Sequence, residues 1–387
     1  MSAKETRRPS PRRRRKPRRI NAWLNIERRT QINRTSREPE RVKLGLSDPF
    51  LEQLGWKPFF SKQVSAEQSQ ECQPVRVMSV HRGRVTVSGS GIDDSISSSV
   101  QSQAGAENRP TVGDWLLIDR NTRDIVRILD RTSLFKRPAP GDDRRTQLIA
   151  ANVDTLFIVT SCDQDFNVAR IERYLVLTRE VGVCPVVVLT KSDLASRPEL
   201  LVDAARALQS GLRVELVDGR DQASAARLAD YCGLGQTVAL VGSSGVGKST
   251  LVNTLKGSNS IATQDVREDD GKGRHTTTVR EMHRVAGGAV GSGWLVDTPG
   301  MRELQMSEVA AGVIEVFDDV TAVALECRFT NCTHVDEPGC AVRAAMTTGA
   351  LDPARVERWR KLTREDAANS GPAAARRSRA SKSGNRR

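Results

Sequence analysis

One stretch constrains this chain more than any other: Gly242-Ser243-Ser244-Gly245-Val246-Gly247-Lys248-Ser249. It fits G-x-x-x-x-G-K-[ST] at every fixed position. It follows the apolar run Val238–Val241 and precedes Thr250-Leu251-Val252-Asn253-Thr254-Leu255, which reads as a helix. The glycines let backbone N–H groups converge on phosphate oxygens, and the helix N-terminus adds partial positive charge. Gly242 through Thr250 are therefore the candidate phosphate-binding residues. Lys248 is placed to bridge β- and γ-phosphates, and Ser249 to ligate Mg²⁺. The surrounding sequence alternates buried strands (Leu156–Val159, Val186–Leu189, Val214–Leu216) with helical stripes (Val168, Ile171, Leu175; Glu199–Gln209). Such alternation predicts a parallel sheet covered by helices.

Thr190-Lys191-Ser192-Asp193 follows the Val186–Leu189 strand. A [N/T]-K-x-D box at a strand end reads guanine: the carboxylate accepts from two guanine N–H sites, and adenine offers no matching pair. A buried acceptor rejects a base that leaves it unpaired. The Lys191 stem covers the base plane. Asn is usual at the first position, and Thr190 makes fewer hydrogen bonds. Asp297-Thr298-Pro299-Gly300 follows the short strand Trp294-Leu295-Val296. In a phosphate-loop GTPase, D-x-x-G sets Asp297 on Mg²⁺ through water and Gly300 at the γ-phosphate. The order here is base box, phosphate loop, D-x-x-G, whereas ordinary GTPases carry the base box last. The same sheet forms when old termini are joined and the chain opens elsewhere. The expectation is a circularly permuted GTPase.

Between the loop and D-x-x-G lies Gly271-Lys272-Gly273-Arg274-His275-Thr276-Thr277-Thr278. A switch threonine must reach Mg²⁺ there; Thr277 is the candidate, with Thr276 and Thr278 as competitors. Met301 stands where many GTPases place a water-positioning Gln. A thioether cannot orient water, and His275 is the nearest candidate replacement as the catalytic group beside Lys248. The competing reading makes His275 a surface switch residue. Either way, unaided hydrolysis is expected to be slow and a partner to accelerate it.

Cys327-x4-Cys332-x-His334-x5-Cys340 supplies three thiolates and one imidazole, a set that suits one structural Zn²⁺. Four protein ligands leave no open position for catalysis. Cys72, Cys162, Cys184 and Cys232 are scattered and expected to pack as small apolar residues. His81 and His283 lack ligand spacing.

Sixty Lys and Arg against 47 Asp and Glu give the 387-residue chain a net charge of +13, pointing to an acidic partner such as nucleic acid. No apolar run approaches the ~20 residues of a membrane span, and the first residues, rich in Arg, carry no apolar signal core. A cytoplasmic protein is expected. Residues 1–42, with Arg12-Arg13-Arg14-Arg15-Lys16, and residues 363–387 read as disordered basic tails. Between them, Val75–Met78, Arg84–Val87, Trp115–Ile118 and Ile125–Ile128 alternate with period two and predict a small barrel over 43–136. Ser88–Asn108 reads as a long loop within it. The GTPase part is expected over 137–308 and a helical metal-binding part over 309–362.

Together these residues resemble the ribosome small-subunit-dependent GTPase A family. The resemblance extends to Leu54-Gly55-Trp56-Lys57-Pro58-Phe59-Phe60, Val112-Gly113-Asp114-Trp115, Asn152-Val153-Asp154, Asp165-Phe166-Asn167 and Cys327-Arg328-Phe329-Thr330-Asn331-Cys332-Thr333-His334. It implies a multidomain fold: an OB-fold β-barrel, a circularly permuted α/β GTPase and a small helical zinc domain. It also implies hydrolysis of GTP stimulated by the small ribosomal subunit, binding to its rRNA, a role in late subunit maturation, and a catalytic role for His275. The final base-contacting box of GTPases is not legible near Val217-Asp218-Gly219, so the groups on guanine O6 stay open. A monomer is expected. The alternatives are an RNA-binding protein that uses GTP as a switch without ribosome-linked turnover, and an ATP-dependent enzyme.

Overall fold

The computed structural model describes residues 48–100, 108–138, 146–257, 280–285, 292–297 and 309–370. Three short helices, α1 (Pro49–Gln53), α2 (Pro58–Ser61) and α3 (Ala66–Glu71), lead into β1 (Cys72–His81), β2 (Arg84–Gly89), β3 (Ile92–Ser97), β4 (Trp115–Asp119) and β5 (Ile125–Ile128). These strands pair β3–β2–β1–β4–β5, and a parallel bridge from Val100 to Ile125 closes the ring. Alternation explains the closure: Val75, Val77, Val85, Val87, Leu116 and Ile118 point inward and are fully buried. The outward Trp115 and Leu117 are buried too, because the α1–α2 segment lays Leu54 and Trp56 of its connection and Phe60 of α2 over them. That cover is why β4 reads as an unbroken apolar run. The expected loop Ser88–Asn108 in fact contains β3. Ile92 and Ile96 anchor it in the core, and the polar Asp93-Asp94-Ser95 between them hides the strand in the sequence.

β6 (Leu134–Pro138) and β7 (Thr146–Ala151) form a separate antiparallel pair. The expected domain boundary at 136/137 falls inside β6, so no linker lies there. Next come β8 (Thr155–Ser161), α4 (Val168–Val181), β9 (Cys184–Thr190), α5 (Pro198–Arg206), β10 (Arg213–Leu216), α6 (Gln222–Ala229), β11 (Thr237–Val241), α7 (Lys248–Lys256), β12 (Arg280–Arg284) and β13 (Trp294–Asp297). The order across the sheet is β10-β9-β8-β11-β13-β12. The first five of these strands are parallel, and β12 is antiparallel to β13. The chain runs outward from β8 to β10, then returns to β11 and leaves on the other side through β13. The reversal between β8 and β11 is a topological switch point, where open α/β sheets bind ligands.

The GTPase sheet continues into the barrel. The first half of β1 pairs with β4, and Ser79 and Val80 pair with Glu281 and Arg280 of β12. At this seam Arg76, 1% exposed, donates to Thr237 Oγ1 at 2.7 Å and to Leu54 O. Lys57 pairs with Asp154, and Trp294 Nε1 donates to Gln53 O at 2.7 Å.

The C-terminal part holds α8 (Ala310–Val316), α9 (Asp318–Ala324), α10 (Ala341–Thr347) and α11 (Pro353–Ser370). α11 runs past residue 363, where a loose tail is expected. Leu362 packs in the core and Glu365 pairs with Arg173 of α4 at 2.6 Å, which extends the helix. α8 lies so close to α4 that a β-carbon on Gly312 would stand 2.3 Å from Val176 O.

Candidate active site

β11 is buried along its length and delivers its C-terminal end to the phosphate loop. Gly242, at φ 146°, lies against β8: a β-carbon there would stand 2.1 Å from Val159 O. Val246 is buried and pins the loop to the core, while Ser244 and Gly245 stay exposed. Gly247, at φ 90°, caps α7 and turns the chain so that the first-turn N–H groups face the loop. Lys248 Nζ reaches back to Gly242 O at 2.9 Å and to Ser243 O, spanning the loop that it would serve. Ser249 is exposed beside it, followed by Thr250.

The base box stands at the end of β9, two strands from β11. Thr190 is buried, and its hydroxyl donates to Val246 O at 2.6 Å, with Thr160 O at 3.3 Å. The structure thus joins the first residue of the base box directly to the phosphate loop. Lys191 takes a left-handed backbone, φ 55°. Its Nζ lies 2.9 Å from Asp163 Oδ2. Ser192 and Asp193 form one 3₁₀ turn, with Asp193 exposed. On the other side of β11, β13 carries Asp297 to the same end of the sheet, Val296 pairing with Ala239. His275, Thr276, Thr277, Thr278 and Gly300 lie outside the described residues.

Two features escaped the sequence reading. Loop 217–219 after β10 abuts the phosphate-loop helix: Thr254 Oγ1 of α7 donates to Gly219 O at 2.7 Å, and Val217 N bonds Leu189 O at 2.9 Å. Asp163, after β8, is the second. Burial opposes its charge, but bonds from Ser161 Oγ, the Asp165 N–H and Lys191 hold its carboxyl down at about 2. Its one sequence signal is an acidic residue just beyond a buried strand end.

Cys327, Cys332, His334 and Cys340 converge, with their ligand atoms all within 4.8 Å of one another. Cys327 Sγ lies 3.9 Å from Cys340 Sγ, and His334 Nδ1 lies 3.4 and 3.6 Å from those sulfurs. A tetrahedron with metal–sulfur bonds of about 2.3 Å and metal–nitrogen bonds of about 2.0–2.1 Å has edges of roughly 3.5–3.8 Å, so these residues fit one ion. Burial opposes the charge of the Cys327 thiolate, but the N–H groups of Val342 and Ala341, at the start of α10, together with the neighbouring thiols of Cys340 and Cys332, bring its thiol below the ordinary range. The Trp359 ring lies tilted against His334, with centroids 5.2 Å apart, and Arg360 donates to the His334 carbonyl. Of the other cysteines, Cys72, Cys162 and Cys232 are buried as expected; Cys184, at the start of β9, is exposed instead. Among the described residues, no helix is long and apolar enough to cross a membrane.

A phosphate loop at the centre of a parallel sheet, with Asp297 at the end of the strand on one flank and a preceding base box on the other, defines a GTPase of rotated strand order. The crystal structure of YjeQ from Thermotoga maritima matches with a TM-score of 0.53 at 25% identity, over 75% of this chain and 97% of that one. YloQ, described as a circularly permuted GTPase, shares the fold, with a TM-score of 0.50 at 23% identity over 76% of this chain and 94% of that one. A family model described as RsgA GTPase matches residues 128–307. A Mesorhizobium japonicum protein called small ribosomal subunit biogenesis GTPase RsgA is 48% identical over 338 residues, 85% of this chain and 95% of that protein. A Methanosarcina acetivorans protein of the same name is 42% identical over 75% of this chain and 78% of that protein. The chain belongs to the RsgA GTPase family.

Proposed function

We propose that this GTPase is a late maturation factor of the small ribosomal subunit, and that the subunit accelerates its turnover. The observation that carries the nucleotide reading is the 2.6 Å bond from Thr190 to Val246 O, which couples the base box to the phosphate loop. The subunit is suggested by the name of the relatives, up to 48% identical. Gly242 to Thr250 hold the phosphates, with Lys248 offsetting β/γ charge, and Asp193 reads guanine. Ser249, Thr277 and Asp297 would hold Mg²⁺, whose charge supports phosphoryl transfer, and Gly300 would meet the γ-phosphate. His275 orients the attacking water. Cys327, Cys332, His334 and Cys340 hold one structural Zn²⁺. The five-stranded ring is an OB-fold barrel, a common nucleic-acid platform; with Arg82, Arg84 and the basic tails it grips rRNA. The protein acts as a cytoplasmic monomer.

GTP hydrolysis measured with and without purified small subunits tests this. A large stimulation is expected, together with co-sedimentation in a non-hydrolysable GTP analogue. Turnover unchanged by subunits would overturn the proposal and favour a nucleotide switch that acts without them.

A further inference from the structure

A base box that begins with Thr lacks the amide that Asn would offer. Thr190 has one hydroxyl hydrogen, and it is committed to Val246 O at 2.6 Å. The next residue, Lys191, is held instead from the neighbouring strand: its Nζ lies 2.9 Å from Asp163 Oδ2. Asp163 is itself fixed. Its Oδ1 accepts from Ser161 Oγ at 2.6 Å and from the Asp165 N–H at 2.9 Å. Asp165 in turn holds Arg170 Nη1 at 2.7 Å, at the start of α4. The loop that carries Asp163 leaves β8, between β9 and β11, at the switch point.

We infer that Asp163 is a positioning residue for guanine binding: by holding the Lys191 ammonium it lays the stem of that side chain along a fixed course before the base arrives. This rests on the reading of Lys191 and Asp193 as the guanine box. A lysine has four rotatable stem bonds, and ordering it in advance removes that cost from the binding step. A carboxylate this acidic stays charged throughout the working pH range. The pair is part-exposed, with 32% and 35% of the two side chains accessible, so its own attraction is small and the effect is one of order.

The test is GDP affinity in a double-mutant cycle of Asp163→Asn and Lys191→Met. Asparagine keeps the acceptor for Ser161 and Asp165 but loses the charge; methionine keeps an apolar stem but cannot be held. Asp163→Asn is expected to raise Kd by about threefold to tenfold, roughly 0.7–1.4 kcal/mol. In the Lys191→Met background it should add nothing, since Asp163 acts only through Lys191. Asp163→Glu, which keeps the charge, should restore most of the affinity. No rise in Kd, or an equal rise in both backgrounds, overturns the inference. Should Asp163→Asn fail to fold, Asp163→Glu set against Lys191→Met decides it: affinity as poor as that of Lys191→Met refutes the contact. Asp193→Asn, assayed with xanthine nucleotide, separates the two levels. If it does not move preference from guanine to xanthine, the box reading fails; if it does while the cycle is additive, only the role of Asp163 fails.

Discussion

Replacing Glu172 by Ala is expected to loosen the C-terminal helices from the GTPase sheet. Glu172 sits on α4, fully buried, and accepts from Arg358 Nε at 2.6 Å, Arg358 Nη2 at 3.2 Å and Arg355 Nη1 at 3.1 Å. Removing one partner of a buried ion pair costs about 3–5 kcal/mol, because the other charge is left uncompensated. Two features place this case at the lower end. Arg355 keeps Asp319 at 2.7 and 2.9 Å and Val316 O at 2.9 Å. The side chain of Arg358 is 24% accessible, so water can reach it. A loss of about 3 kcal/mol corresponds to a fall of about 6–12 °C in Tm, at about 2–4 °C per kcal/mol for domains of 150–250 residues. Scanning calorimetry measures the fall, and amide exchange in α11 locates it. A loss below ~1 kcal/mol with α11 exchange unchanged would mean that Glu172 does not hold α11 in place. Burial pushes the Glu172 carboxyl up, against the pull of Arg358 and Arg355, so desolvation is a large cost. Replacing all three residues by apolar ones of similar volume should therefore be far milder than Glu172→Ala.

Gly312→Ala should destabilise by about 1–3 kcal/mol in chemical unfolding, since α8 would have to retreat from Val176 O. Lys248→Ala should lower kcat for GTP by at least about 10²-fold, read by phosphate release. Stripping metal with a chelator should melt the loop 327–340 and lower Tm, with recovery on adding Zn²⁺. Burial first, then the nearby Lys256, holds the imidazole of His283 below its ordinary 6.5. The unfolded chain thus takes up that proton at higher pH than the folded one. Its contribution is fully present above 6.5 and is lost as pH falls through the window beneath. Tm between pH 7 and 5 should fall less steeply in His283→Gln.

The sequence reveals much of this because the site is built from strand ends and fixed-spacing boxes. The buried runs that became β8, β9 and β11 are continuous and apolar, as parallel strands with both faces covered must be. Every strand proposed for the barrel forms, and the four metal-ligand candidates converge. What stayed hidden depends on partners far along the chain. β3 presents two buried isoleucines in six residues, and only closure with β2 reveals it. α11 continues because Glu365 meets Arg173, which no local propensity encodes. The links from Thr190 to Val246 and from Lys191 to Asp163 follow from strand adjacency, which the order of boxes implies only after the sheet is drawn. Loop 217–219 carries no legible box, yet Thr254 fixes it beside α7.

The divided edge of β1 makes dissection of this molecule costly. Deleting everything before β6 would strip β12 of its outer neighbour and leave its backbone donors and acceptors facing water beside β13. Such a frayed margin invites pairing with another molecule. Excising the five-stranded ring alone would strand Arg76, a cation seated among Leu54, Asn152 and Thr237. Fragment studies should therefore keep both halves on one polypeptide and alter them by substitution.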